Sequence, residues 1–183
     1  MAVYYPEDNC QSGVPEHLCD PCKPIELGGV RSVGFIDADA TFANPSDPVE
    51  WAAKLLAGTI KLIPETSGTF DGGTPQEGAG FGDSPTSLDG YDYSLEFFDP
   101  NFVGNCDFYD NMKNARNAFK VIWRTETQVY LSDRSVIVLP KFPIANDVKS
   151  RVLWQVIVKW SSKNLPCSYT SPGAATFRCI QNL

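Results

Sequence analysis

The segment that decides the fold is residues 152–160, VLWQVIVKW. Every second residue from Val152 to Trp160 is a valine or a tryptophan, and this period of two is typical of a β-strand. Leu153 and Ile157 fall on the opposite face of the same strand and are also apolar. We therefore predict a central strand that is buried on both of its faces.

Similar alternation of apolar and polar residues predicts further strands along the chain. The strands of the last third follow one another closely, which favours a β-meander, and Pro140 is expected to end the strand before it. The predicted strands other than 152–160 cover residues 30–35, 59–63, 91–98, 119–131 and 136–139.

Two short helices interrupt this β pattern. Asp47 suits the N-cap of the first, Pro48 its first turn, and Glu50 the acidic position of a capping box. Gly58 is placed to end this helix. The second helix is predicted over residues 107–116. In the first helix, the one that begins at Asp47, we expect Trp51, Leu55 and Leu56 to form the apolar face.

The remaining segments lack a regular period. Residues 1–28 form an irregular, Cys-rich N-terminal arm, and residues 166–183 form a C-terminal tail. Residues 65–90 hold seven glycines and read as a long Gly-rich loop inside a β-rich domain of residues 29–165. The predicted fold class is mainly β (α+β), an antiparallel β-sandwich or partly closed barrel with two short helices.

The composition of the 183 residues narrows the range of functions. The net charge is −7, and we interpret the fifteen basic residues as scattered along the chain, which argues against sequence-specific nucleic-acid binding. No apolar run is long enough to cross a membrane, and the first residues do not resemble a signal peptide. These features predict a globular protein with no membrane association.

One group of residues has the types and spacing of a metal site. Cys10, His17, Cys19 and Cys22 could supply the four ligands of a structural zinc ion. The same cysteines could instead form disulfides, for example between the arm and Cys167 or Cys179, or remain free thiols. The spacing leaves all three states open, and no other cofactor is predicted.

Signals for catalysis are weak. His17 is the only histidine, so a Ser/His/Asp or Cys/His centre would have to be built in the irregular arm. Carboxylates close in sequence could serve a small hydrolase or bind calcium, although the spacing of a calcium loop is absent. The candidate pairs are Asp37 with Asp39, Asp89 with Asp92, and Glu96 with Asp99.

A resemblance to a known family rests on the last third of the chain. The helix at 107–116 is followed by AFKVIWRTET (118–127) and VIVLPKFPIANDVKSRVLWQVIVKW (136–160). This order resembles the end of a tail-tube or related virion structural protein of a tailed bacteriophage. Capsid-associated and head–tail connector proteins of such phages share the resemblance.

The resemblance implies a self-assembling protein without enzymatic activity. Its partners would be copies of itself and other virion proteins, assembled in the host cytoplasm into rings or tubes through which DNA passes. The arm at 1–28 and the loop at 65–90 would then be contacts between subunits. A disulfide-stabilised extracellular binding module and a small carboxylate-dependent hydrolase are the alternative functions left open by the sequence.

Overall fold

The computed structural model describes residues 28–177 apart from 81, 83–85, 145, 147 and 148. The chain is mainly β with two α-helices, as predicted. In chain order the elements are β1 (Ser32–Asp37), α1 (Pro48–Leu56), β2 (Ile60–Ile63), β3 (Ser67–Phe70), β4 (Thr74–Ala79), β5 (Thr86–Asp99), α2 (Cys106–Asn114), β6 (Phe119–Arg124), β7 (Gln128–Leu131), β8 (Ile137–Lys141), β9 (Trp154–Ser162), β10 (Ser168–Thr170) and a 3₁₀ turn (Ala174–Phe177).

The strands form two antiparallel sheets that face each other. Sheet I has the order β10-β7-β6-β1-β2. Sheet II has the order β3-β5-β9-β8, with β4 also paired to β5. The main core lies between the sheets, where Phe35 and Trp123 of sheet I meet Phe97 and Val158 of sheet II. The architecture is a β-sandwich in which the described strands do not close into a barrel.

The outer face of sheet I is covered by a second apolar layer. Trp51 of α1 is fully buried and contacts the rings of Phe42 and Phe177 at centroid distances of 4.8 and 4.9 Å. Ile36 and Ile122 point from the sheet into this layer. Because both faces of sheet I are covered, consecutive residues of β6 are buried in opposite directions.

Helix α1 confirms the predicted start and stop signals. The Asp47 side chain accepts a hydrogen bond from Val49 N at 2.9 Å, and Pro48 occupies the first turn. Gly58 follows the helix with φ +74°, and its N–H donates to Leu55 O. This left-handed residue lets the chain turn at once into β2.

Two details of the α1 prediction are wrong. Leu56 is 92% exposed, because the covering layer needs only the side of the helix that carries Trp51. Glu50 does not complete a capping box; its carboxylate accepts from Ala43 N and Asn44 N at 3.0 and 2.9 Å. Glu50 therefore ties the preceding loop to the helix.

Helix α2 packs beside β8 and closes one end of the main core. Tyr109 is fully buried, and its hydroxyl donates to the buried Asp99 carboxylate at 2.7 Å. The Tyr109 ring also lies 4.7 Å from the ring of Trp154. Asp99 accepts a second hydrogen bond from Asn101 N at 2.9 Å, so its buried charge is well satisfied.

The last third of the chain differs from the predicted meander. Strands β6 and β7 belong to sheet I, whereas β8 and β9 belong to sheet II, so the chain crosses the sandwich between β7 and β8. Strand β8 continues through Pro140, which an edge strand tolerates. β9 is buried on one face only: Ile157 is half-buried and Lys159 is exposed, because none of the described elements covers sheet II as α1 covers sheet I.

Two segments predicted as irregular contain regular structure. Residues 65–90 include β3, β4 and the first part of β5. The described part of the C-terminal tail adds β10 to the edge of sheet I and places Phe177 in the second apolar layer. Both segments are therefore integral parts of the sandwich rather than appendages.

Candidate functional site

Strand β5 is longer than the sheet that holds it. Its residues Tyr91–Asp99 pair with β9, whereas the preceding residues pair only with β4. The two-stranded ribbon formed by residues 76–79 and 86–90, which we call the hairpin, therefore extends past the end of β9. A two-stranded ribbon has little stability of its own in water, so a protruding ribbon is a candidate contact surface.

The root of the hairpin is well defined. Gln76 Nε2 donates to the Asp92 carboxylate at 2.5 Å, and Ser161 of β9 donates to the same carboxylate at 2.5 Å. Gly90 has φ +153°, and a Cβ at this position would lie 3.1 Å from Ser162 O. These contacts anchor the ribbon where it leaves the sheet.

A β-bulge shapes the hairpin above its root. Gln76 pairs with Gly90 and Glu77 pairs with Leu88, so Asp89 is an extra residue on the β5 side. The Asp89 carboxylate lies across Gly78, where an added Cβ would come within 2.2 Å of a carboxylate oxygen. The bulge increases the local twist, and Gly78 is the residue that leaves room for the acidic side chain.

The hairpin is exposed, acidic and partly apolar. Glu77 and Asp89 are exposed on it, and Leu88, which pairs with Glu77 and precedes Asp89 in the chain, is 57% exposed. An apolar side chain flanked by charges is typical of a protein contact rather than of a catalytic centre. One signal in the sequence pointed to this region, because 26 residues without a regular period, 65–90, are too many for an ordinary loop.

The opposite edge of sheet II carries a different chemistry. On the outer face of β8, Ile137 and Leu139 are 52% and 43% exposed, and Lys141 is exposed beside them. Their partners on β9 are Lys159, Ile157 and Gln155. We call Ile137, Leu139, Lys141, Ile157 and Lys159 the β8 patch.

Charge is distributed unevenly along the chain. Residues 62–112 contain ten carboxylates and no lysine or arginine, whereas residues 113–163 contain ten basic and three acidic residues. The first stretch includes the hairpin and the second includes the β8 patch. The basic residues are therefore concentrated rather than scattered, contrary to our interpretation of the sequence.

The predicted metal ligands Cys10, His17, Cys19 and Cys22 lie outside the described residues, so the zinc site stays a prediction. Residues 28–177, within the described ranges, hold no cluster of three or more metal-binding side chains. Cys106 and Cys167 are exposed free thiols.

The carboxylates that lie close together in the sequence differ in their exposure to solvent. Glu96 faces outward beside Ile157, whereas Asp99 is buried on the inner side of the sheet. Asp37 and Asp39 are both exposed at the end of β1. The Glu96 and Asp99 side chains are therefore directed to opposite faces of β5, and Asp99 is bound by Tyr109.

Burial and this bond also shift the acidity of Tyr109. Removal from water, followed by the hydrogen bond and charge of Asp99, raises the pKa of the Tyr109 hydroxyl far above its usual range. The tyrosine therefore stays protonated and donates to Asp99 across the physiological pH range. We interpret the pair as a structural contact, which was not anticipated from sequence because β5 and α2 were considered separately.

An open cleft lies beside β1 and β3. Arg31 pairs with Glu126 at 2.8 Å, and Arg124 lies 5.2 Å from the Phe177 ring centroid. Burial is the main cause of a lowered pKa at Arg124. Thr66 Oγ1 is buried there without a hydrogen-bond partner among the described residues. Gly28 and Phe177 both line the cleft, so it lies where the two ends of the described chain meet.

Comparison of the chain with family models, curated proteins and solved structures found no match. Among the helices of the described ranges, neither the length nor the apolar content reaches what a membrane span requires. The case for a function therefore rests on the surfaces described above.

Proposed function

We propose that the protein is a non-enzymatic structural subunit of a bacteriophage virion that assembles through the hairpin and the strand edges of its sandwich. The single observation that carries this proposal is the hairpin, which extends beyond the sheet with both strands exposed. A ribbon in water gains little from its own cross-strand contacts. A neighbouring subunit would cover it and supply the missing apolar contact at Leu88.

The phage context comes from the resemblance of residues 118–127 and 136–160 to virion proteins, and the sandwich with its two helices is compatible with it. Partners would be copies of the same chain and other virion proteins, and the location would be the assembled particle. Tail tube, connector and capsid-associated positions are all consistent with an edge-to-edge assembly.

The test replaces residues 77–89 by Asn-Gly, a two-residue turn that joins the cross-strand partners Gln76 and Gly90. We expect wild-type protein to form rings, tubes or larger particles in negative-stain images and native mass spectra. The shortened variant should remain folded, because the strand pairs of β5 with β9 are kept, and should be monomeric.

The matched control is Leu56→Ser, which changes an exposed apolar residue on α1 and should assemble as wild type does. Wild-type protein that stays monomeric at all concentrations would refute the proposal. Unchanged assembly of the shortened variant would remove the hairpin from it.

A further inference from the structure

The two edges of sheet II carry opposite charges. On the β4 side, Glu77 and Asp89 are exposed on the hairpin. On the β8 side, Lys141 and Lys159 are exposed on the outer face, and neither forms an ion pair with a described residue. Glu77 lies on β4 and Lys141 on β8, two strands that β5 and β9 separate, while Asp89 and Lys159 lie on β5 and β9 themselves.

Each charged group is accompanied by apolar surface. Leu88 is exposed on the hairpin opposite Glu77, and Ile137 and Leu139 are exposed near Lys141 and Lys159. Burial of apolar area supplies affinity, while complementary charge selects the partner and the register. Exposed apolar area and exposed charge, the two features that a protein contact needs, are therefore present on both surfaces.

We infer that the acidic hairpin of one copy binds the β8 patch of a second copy. This inference rests on the proposed self-assembly and specifies its geometry. The two surfaces differ in sign and lie at opposite edges of the sheet, so the contact is heterologous, head to tail. Repetition of such a contact produces a closed ring or an open filament rather than a two-fold dimer.

Direct extension of the sheet from one copy to the next is disfavoured. Pro140 lies within β8 and Pro75 within β4, and proline has no N–H to donate to a neighbouring strand. Side chains therefore make the contact, with the acidic hairpin lying against Lys141 and Lys159 of the β8 patch. Salt should weaken it, because the charged groups are exposed.

The test exchanges the charges of the two surfaces. The hairpin variant is E77K/D89K and the patch variant is K141E/K159E. Each variant alone brings like charges together, so we expect self-association to weaken by at least about tenfold in sedimentation velocity at low salt. An equimolar mixture of the two should assemble again, because each hairpin then meets a patch of opposite sign.

A charge reversal elsewhere serves as the matched control. D37K/D39K alters the charge as much as the hairpin variant does, at the exposed end of β1 of sheet I and the turn that follows it, and should assemble as wild type does. Far-UV circular dichroism checks that every variant is folded. If E77K/D89K does not fold, the isosteric E77Q/D89N takes its place, and weaker assembly with a smaller salt dependence is expected.

The outcomes separate this inference from the proposed function. Wild-type protein that never assembles refutes the self-assembly itself. Wild-type protein that assembles while both reversed variants assemble equally well overturns only the hairpin-to-patch contact. The same conclusion follows if each variant is monomeric but their mixture does not recover, because a contact between some other pair of surfaces is then indicated.

Discussion

The outer faces of the two sheets differ in what covers them. On sheet I, Trp51 and Phe177 form an apolar layer, and the residues of the sheet beneath it are buried. On the outer face of sheet II, Lys159 is exposed to solvent, and Ile137 and Leu139 are about half-exposed. Within the part of the chain that the structure describes, one face is covered by helix α1, while the other carries apolar residues that stay partly exposed.

This difference separates stability from association. Burial of apolar area stabilises the fold, so the layer over sheet I should determine the free energy of unfolding. Apolar residues that the chain leaves exposed add little to folding, and a patch of them rimmed by charge is typical of an interaction surface. Substitutions on the two faces should therefore affect different measurements.

The largest effect is expected for Trp51→Ala. The side chain is completely buried and contacts two other aromatic rings, so its loss leaves a cavity and should lower the free energy of unfolding by about 3–5 kcal/mol. Leu139→Ala is the matched change on the open face and should alter it by no more than about 0.5 kcal/mol. Urea unfolding measures both, and equal losses would contradict the contrast between the faces.

A smaller effect is expected for Tyr109→Phe. This variant keeps the ring between the sheets but removes the hydroxyl that donates to Asp99, which stays buried with fewer partners. The expected loss is about 1–3 kcal/mol in the free energy of unfolding. Tyr169→Phe, at an exposed position of β10, is the control and should unfold as wild type does; a similar loss in both would show that the Asp99 bond is unimportant.

The smallest effect concerns Glu50 and depends on pH. Hydrogen bonds from the backbone N–H groups of Asn44 and Ala43 lower the pKa of this carboxyl. A lowered folded pKa stabilises the protein above the unfolded pKa, and this contribution is lost as the pH falls through the folded value. The stability difference between wild type and Glu50→Gln should therefore be present at pH 7 and shrink on acidification below the usual carboxyl range.

Thermal unfolding from pH 7 to pH 3 measures that difference, with Asp39→Asn as a control at an exposed carboxylate. A difference that grows as the pH falls would show that the hydrogen bonds to Glu50 do not favour its charged form.

The sequence was informative where a local signal sufficed. Asp47, Pro48 and Gly58 act within one helix, so α1 could be located without knowledge of the fold. The residues of β4, TPQEGA, lack apolar alternation and include one strand-favouring side chain, that of Thr74. The strand exists because β5 offers it hydrogen-bond partners. Such pairing depends on residues beyond the segment itself and could not be predicted from it.

The candidate site was predictable in part for the same reason. The length of residues 65–90 indicated that this segment has a special role. The β8 patch could not be located in the same way, because its position depends on the order of the four strands of sheet II. VLWQVIVKW predicts burial of Ile157, yet this residue is half-exposed because none of the described elements packs over the outer face of sheet II. Glu96 and Asp99 are close in sequence, but the pleat of β5 sends them to opposite faces.

The pairing of β5 with β9 also has a consequence for how the protein folds. The Tyr93 hydroxyl donates to Asn164 O across 71 positions, and the same two strands form the centre of sheet II. Contacts between distant parts of the chain slow folding, because closing a long loop costs entropy before the contacts can stabilise the structure. We expect the sandwich to form only after residue 162 has left the ribosome, while the hairpin between β4 and β5 can form earlier during synthesis.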